Sequence, residues 1–185
     1  MSAIKLNSSG GGSITISPAS TASTLTLTAP AQTGTIGLDG PAFKVYQTSI
    51  TQTLSNNADT KVILNTEVFD TANCFDSTTN YRFTPNVAGY YMLAQTVVTA
   101  AVNSGGTLEI LARIRKNGST DLTWSTNLVP STQHFNAITS STVTYMNGTT
   151  DYVELYIYQN TNASLNVVGG IEGYTSFSGA LVRAA

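Results

Sequence analysis

The sequence predicts an all-β protein, a sandwich or jelly roll of short antiparallel strands preceded by an extended arm. Three observations carry the prediction. From about residue 42 onward, Gly, Asn, Pro and Ser punctuate the chain, and the segments between them alternate apolar and polar residues with period two. No stretch sustains the 3.6-residue period of an amphipathic helix. About thirty of the 185 residues are Thr, whose β-branched side chain suits a pleated surface, and charged residues make up only 10%.

The first forty residues read as an arm (residues 1–40), distinct from a head at 41–185. The arm holds one Gly cluster, Gly10-Gly11-Gly12, and three alternating runs, at 13–17, 23–28 and 34–38, punctuated by Pro18, Pro30 and Pro41. Three such strands cannot bury a core of their own, because even a two-stranded hairpin is marginal in water. The arm is therefore expected to be either disordered or paired to another surface, and in the favoured second case the aliphatic positions Ile4, Leu6, Ile14, Ile16, Leu25 and Leu27 are the residues expected to dock. Fully extended, forty residues reach ~130 Å, far enough to join subunits that the head does not touch.

In the head, strands are expected at 42–53, 61–69, 81–84, 89–102, 107–116, 122–128, 134–146, 151–159, 164–168 and 177–183. Asn117-Gly118 and Asn147-Gly148 mark the strongest turns, since Asn and Gly tolerate positive φ. Two strands are the most informative. In 151–158, Val153, Leu155 and Ile157 form a core row, while Tyr152, Glu154, Tyr156 and Tyr158 point the other way. In 108–115, Leu108, Ile110, Ala112 and Ile114 form the core row, and Glu109, Leu111, Arg113 and Arg115 face out. Three tyrosines exceed what a solvated face requires, and Tyr is apolar in body and polar at its tip. Tyr152, Tyr156, Tyr158, Leu111, Arg113 and Glu154 are thus expected at a self-association surface. The alternative is a tyrosine face covered by a loop of its own subunit. Trp124 also has two readings, a core residue of a short strand or an exposed platform for a sugar ring, of which the core is favoured.

A formal net charge of -2, with 8 Lys+Arg, excludes the dense cationic face that releases phosphate counterions. No nucleic-acid partner is expected. No apolar run approaches the ~20 residues of a membrane-spanning helix, and the N-terminus lacks the apolar stretch of a secretion signal. One Cys and one His leave no disulfide and no multi-Cys zinc pattern. His134 and Cys74 lack the sequence neighbours of an activated nucleophile, so neither an enzyme nor a cofactor is expected.

Particular motifs add a resemblance. Ala42-Phe43-Lys44-Val45-Tyr46 opens the head. Phe69-Asp70, then Arg82-Phe83-Thr84-Pro85 and Ala88-Gly89-Tyr90-Tyr91, lead to Arg115-Lys116-Asn117-Gly118 and a terminal Phe177-Ser178-Gly179-Ala180-Leu181. In order and spacing these resemble the globular head of complement subcomponent q, within the tumour-necrosis-factor-like superfamily, over roughly residues 42–183. The resemblance implies a ten-stranded jelly roll that assembles as a homotrimer, with the inner sheet facing the threefold axis. Members of that family often bind Ca²⁺; here Glu67, Asp70 and Asp76 are expected to be turn carboxylates, and no metal is expected. The arm resembles low-charge segments that precede such heads in phage virion proteins. The implied function is a trimeric capsid decoration, or cement, protein on the outer virion surface, assembled in the host cytoplasm. Its arms would clamp neighbouring subunits of the major capsid protein or another virion protein. The alternative is a tail-fibre or adhesin head that binds a host-surface glycan or protein.

Overall fold

The structure is a computed structural model that describes residues 4–7, 13–16, 40–48, 52–101, 108–129, 135–161 and 164–185. The chain divides into two compact units, Met1–Leu38 and Asp39–Ala185. In the first, β1 (Ile4–Asn7) and β2 (Ser13–Ile16) form an antiparallel ribbon pairing Ile4 with Ile16 and Leu6 with Ile14. Leu25, Leu27 and the runs at 23–28 and 34–38 lie outside the described residues.

The second unit holds β3 (Ala42–Tyr46), β4 (Thr53–Leu54), β5 (Ala58–Lys61), β6 (Thr66–Asp70), β7 (Phe75–Asp76), β8 (Arg82–Phe83) and β9 (Gly89–Thr99). These are followed by β10 (Leu108–Lys116), β11 (Thr120–Val129), β12 (Asn136–Met146), β13 (Val153–Gln159), β14 (Leu165–Asn166) and β15 (Ser176–Ala184). No helix occurs among the described residues. A six-stranded sheet runs β11-β10-β13-β8-β7, with β5 also paired to β13, and a five-stranded sheet runs β12-β9-β15-β3-β6. The pairing of β14 with β4 completes an antiparallel jelly roll.

Burial confirms the two alternating rows. Val153, Leu155 and Ile157 of β13 are fully buried, as are Ile110, Ala112 and Ile114 of β10. Phe43, Tyr91, Leu93, Val97 and Phe177 face them from the five-stranded sheet. Phe43 stacks on Phe83 with centroids 4.3 Å apart and meets Phe177 edge-on at 5.1 Å. Tyr91 is buried, and its hydroxyl donates to the carbonyl of Val87 at 2.7 Å. Burial pushes that phenol up to about 12.

The two Asn-Gly turns form as the sequence predicts. Asn117 and Gly118 both take positive φ, and Gly148 takes φ 73°. Asn147 Oδ1 gathers the amides of Thr149, Thr150 and Asp151 within 2.9–3.0 Å.

Two strand boundaries differ from expectation. The expected 42–53 strand ends at Tyr46 and resumes only as β4. Buried Gln47 leaves the ladder: its amide donates to Thr175 O, and its side chain donates to Gln52 Oε1 at 2.7 Å. The expected 61–69 strand is two pieces, because the chain changes sheets there. Lys61 closes β5 against β13, Thr66 opens β6 against β3, and Val62 and Leu64 between them are buried.

Candidate self-association faces

The sandwich has two outward faces, and their chemistry differs. On the six-stranded sheet, β10 and β13 place Leu111 beside Tyr158, Arg113 beside Tyr156 and Arg115 beside Glu154. The six residues expected at an interface are therefore gathered on one side of one sheet, with Tyr152 just before β13. Each aromatic or charged member already has a partner within the chain. Arg82 lies over Tyr152 with 4.3 Å to the centroid, and Arg115 lies over Tyr156 at 4.6 Å. Tyr158 donates to Asn57 Oδ1 at 3.3 Å, and Tyr156 donates to Glu154 Oε2 at 3.4 Å. Glu154, only 3% exposed, pairs with Lys61.

Four charges close a ring on this face. Arg115 donates to Asp121 Oδ1 (2.6 Å) and Asp59 Oδ2 (2.9 Å), and Arg113 donates to Asp59 Oδ2 (3.3 Å) and Asp121 Oδ2 (3.2 Å). The hydrogen bond from Arg115 holds the Asp121 carboxyl below the usual carboxylate range. Burial raises the Tyr156 phenol, with the Glu154 carboxylate adding to the shift. Packing a protein surface on this face would strip solvent from charged groups that already have ionic partners within the chain, which gains little.

The five-stranded sheet is the reverse. Register sets Tyr145 beside Tyr90 and Tyr90 beside Arg183, and sets Val143, Met92, Ala180 and Ala42 in one row across four strands. The next row is Ser141, Ala94, Ser178, Lys44 and Phe69. Tyr90, Met92, Val143, Tyr145, Val68, Phe69 and Val182 on these strands are each more than 40% exposed. Tyr90 and Tyr145 meet edge-on at 5.7 Å. Small residues in the middle leave a shallow groove of about 260 Å³ lined by Phe69, Met92, Ala94 and Ala180. Charge on this face is sparse: Lys44, in the second row, pairs with Glu172 at 2.5 Å, and Arg183 lies beside Tyr90. Contiguous exposed apolar patches are the chemistry in which interaction sites are found. The sequence signal was present in the second row of β9 (Tyr90, Met92, Ala94) and in Val143 and Tyr145, two apolar residues at period two inside a Ser/Thr run.

Trp124 corrects the core reading. It is 62% exposed. The inward positions of β11 are Thr123, Ser125 and Asn127, which pair with the core residues Ile114, Ala112 and Ile110, so Trp124 points outward beside Arg113.

Asp76 accepts the amides of Thr78, Thr79 and Asn80, which hold its carboxyl well below the ordinary range. Asp70 accepts the amides of Phe75 and Ala72, and Glu67 accepts the Ser77 hydroxyl. Among the described residues no group of three or more His, Cys, Asp or Glu is arranged to hold a metal ion. Cys74 is buried, and burial pushes its thiol up. His134 lies outside the described residues.

No protein-family model and no curated protein matches the chain. Solved structures do. The globular domain of zebrafish complement 1qA protein is 17% identical with a TM-score of 0.58, covering 78% of this chain and 99% of that one. Eiger TNF from S. frugiperda is 12% identical, with a TM-score of 0.57 over 79% of this chain and 95% of that one. The vertex protein P5 of PRD1 is 17% identical, with a TM-score of 0.55 over 80% of this chain and all of that one. The fold is therefore the jelly roll of complement globular heads and tumour necrosis factors, shared with a virion vertex protein.

Proposed function

We propose that the protein is a non-enzymatic virion structural protein: a homotrimeric decoration, or cement, protein on the outer surface of a phage capsid. The observation that carries the reading is a bare apolar sheet face on the chain whose first forty residues alternate aliphatic and polar positions in sequence. The seam we assign is the open face of the five-stranded sheet, around Tyr90, Met92, Ala94, Val143 and Ala180, in place of the tyrosine-bearing face. The internal ion pairs of the tyrosine face support that choice, and the likeness to a virion vertex protein supports the location. The arm positions Ile4, Leu6, Ile14 and Ile16 then grip neighbouring capsid subunits. Three joined arms bind at high effective concentration, so weak contacts suffice. Because the ligand binds only the assembled shell, it stabilises the shell by mass action.

The test uses full-length protein added to undecorated capsids. Wild type should saturate the particles and raise their disruption temperature. A variant with Ile4→Asp, Leu6→Asp, Ile14→Asp and Ile16→Asp should keep its self-association and lose the particles. Capsids that take up neither protein would end the cement reading.

A further inference from the structure

Self-association through the five-stranded sheet leaves the outward face of the other sheet free, and that face carries a feature of its own. Trp124 is the chain's single Trp, and it is 62% exposed in the middle of a ten-residue strand. A mid-strand position paired to β10 fixes its backbone, unlike a loop. Register sets Trp124 beside Arg113, Arg113 beside Tyr156 and Tyr156 beside Lys61. The next row is Thr126, Leu111, Tyr158 and Asp59.

The indole is therefore set in a field of ordered hydrogen-bonding groups. Arg113 and Arg115 are balanced by Asp59 and Asp121, so the local charge cancels. Arg113 Nε is buried without a hydrogen-bond partner. The Thr126 hydroxyl donates to Glu109 Oε1 at 3.1 Å.

These properties select among occupants. Protein hot spots seat Trp, Tyr and Arg in well-packed, fully desolvated pockets, whereas Trp124 stands 62% exposed and, among the described residues on the strands of this sheet, only Leu128 joins it as an exposed large hydrophobic. A nucleic-acid strand would stack on the indole, but its phosphates would meet Asp59, Asp121 and Glu109. A neutral sugar ring suits both features at once. Its C–H face covers an indole, and its hydroxyls, each donor and acceptor, exchange with carboxylates, guanidinium and threonine. We infer that the ledge around Trp124 is a binding site for a neutral oligosaccharide. Trp124 is the stacking platform, and Arg113, Asp121 and Thr126 hold the hydroxyls. The site stands independently of where the trimer sits on a virion.

A single Trp makes intrinsic fluorescence a direct reporter. Full-length protein is titrated with maltohexaose, cellohexaose and mannohexaose, and with an alginate hexamer as the acidic control. At least one neutral hexasaccharide should shift the emission to the blue in a saturable way, and the alginate should not. By calorimetry, Trp124→Ala should weaken that binding about tenfold or more, Trp124→Phe should retain most of it and Thr126→Val should cost a few-fold. The urea midpoint and the assembled mass should stay unchanged. The assignment is overturned if no neutral hexasaccharide gives a saturable response at millimolar concentration, if alginate binds as well, or if Trp124→Ala binds like wild type. A photo-crosslinker at position 124 that captures a protein in intact particles would overturn it too.

Discussion

Replacing Met92 with Asp separates the two outward faces most sharply. Met92 is 41% exposed and sits between Val143 and Ala180 at the middle of the open sheet. Fully burying a Met side chain contributes roughly 1.5–3 kcal/mol, and the exposed part of Met92 therefore accounts for about 1 kcal/mol per subunit on association. A carboxylate in its place adds an uncompensated charge to a dry seam, at several kcal/mol per ion. Three copies bring the total penalty to the order of 10 kcal/mol per trimer. Joining three chains at micromolar concentration takes two steps of about 8 kcal/mol each, about 16 kcal/mol in all, so losing about 10 kcal/mol should leave Met92→Asp as single chains at micromolar concentration. Tyr156→Asp is the companion variant. Its new carboxylate lies beside Arg115 and Lys61, where it finds cations, so the assembled mass should not change. Urea unfolding of both variants checks that each folds. The reasoning fails if Met92→Asp keeps the wild-type mass while Tyr156→Asp falls to single chains.

Lys61→Met should cost about 3 kcal/mol in urea unfolding, because Glu154, only 4% exposed at its side chain, loses its cation inside the fold. Gly148→Ala should destabilise by about 2 kcal/mol or more, since its φ is 73° and a Cβ would lie 2.4 Å from the Ala88 amide nitrogen. Gly179→Ala should cost about 1–3 kcal/mol by forcing Leu93 and Phe43 apart, both being within 2.8 Å of the added carbon. The pH profile should fall at both ends. Asp76, Asp121 and Asp151 have depressed folded-state values, so their contribution is present above the unfolded value near ~4 and is lost as pH falls below it. Tyr91 is raised to about 12, so its contribution is complete below the unfolded value near ~10 and disappears as pH climbs towards 12. Tyr91→Phe should flatten that alkaline limb in circular-dichroism titrations.

The strands with one clearly aliphatic row were legible from the sequence. Val153, Leu155 and Ile157 alternate against Tyr and Glu, and only one assignment of faces buries them. The Asn-Gly turns were legible for a similar reason, since few other residue pairs accept positive φ. Residue type alone predicts burial for Trp124, whereas β11 turns Thr123, Ser125 and Asn127 inward and Trp124 and Leu128 out. The open face of β9 was obscured because both of its rows are apolar: Tyr91 and Leu93 face the core, while Tyr90 and Met92 face out. Period-two alternation reports that two faces differ, and in β9 they hardly do. The ionic partners of the β13 tyrosine face, Lys61, Arg82 and Arg115, come from three other strands and are invisible to local pattern.

The most direct test is a reconstruction of the assembled full-length protein by electron cryo-microscopy. The account predicts three copies around a common axis, with Met92, Ala94 and Ala180 packed against a neighbouring copy and the phenol of Tyr156 outside the seam. An isolated subunit, or copies joined through Tyr156 with the Met92 face in solvent, would contradict it.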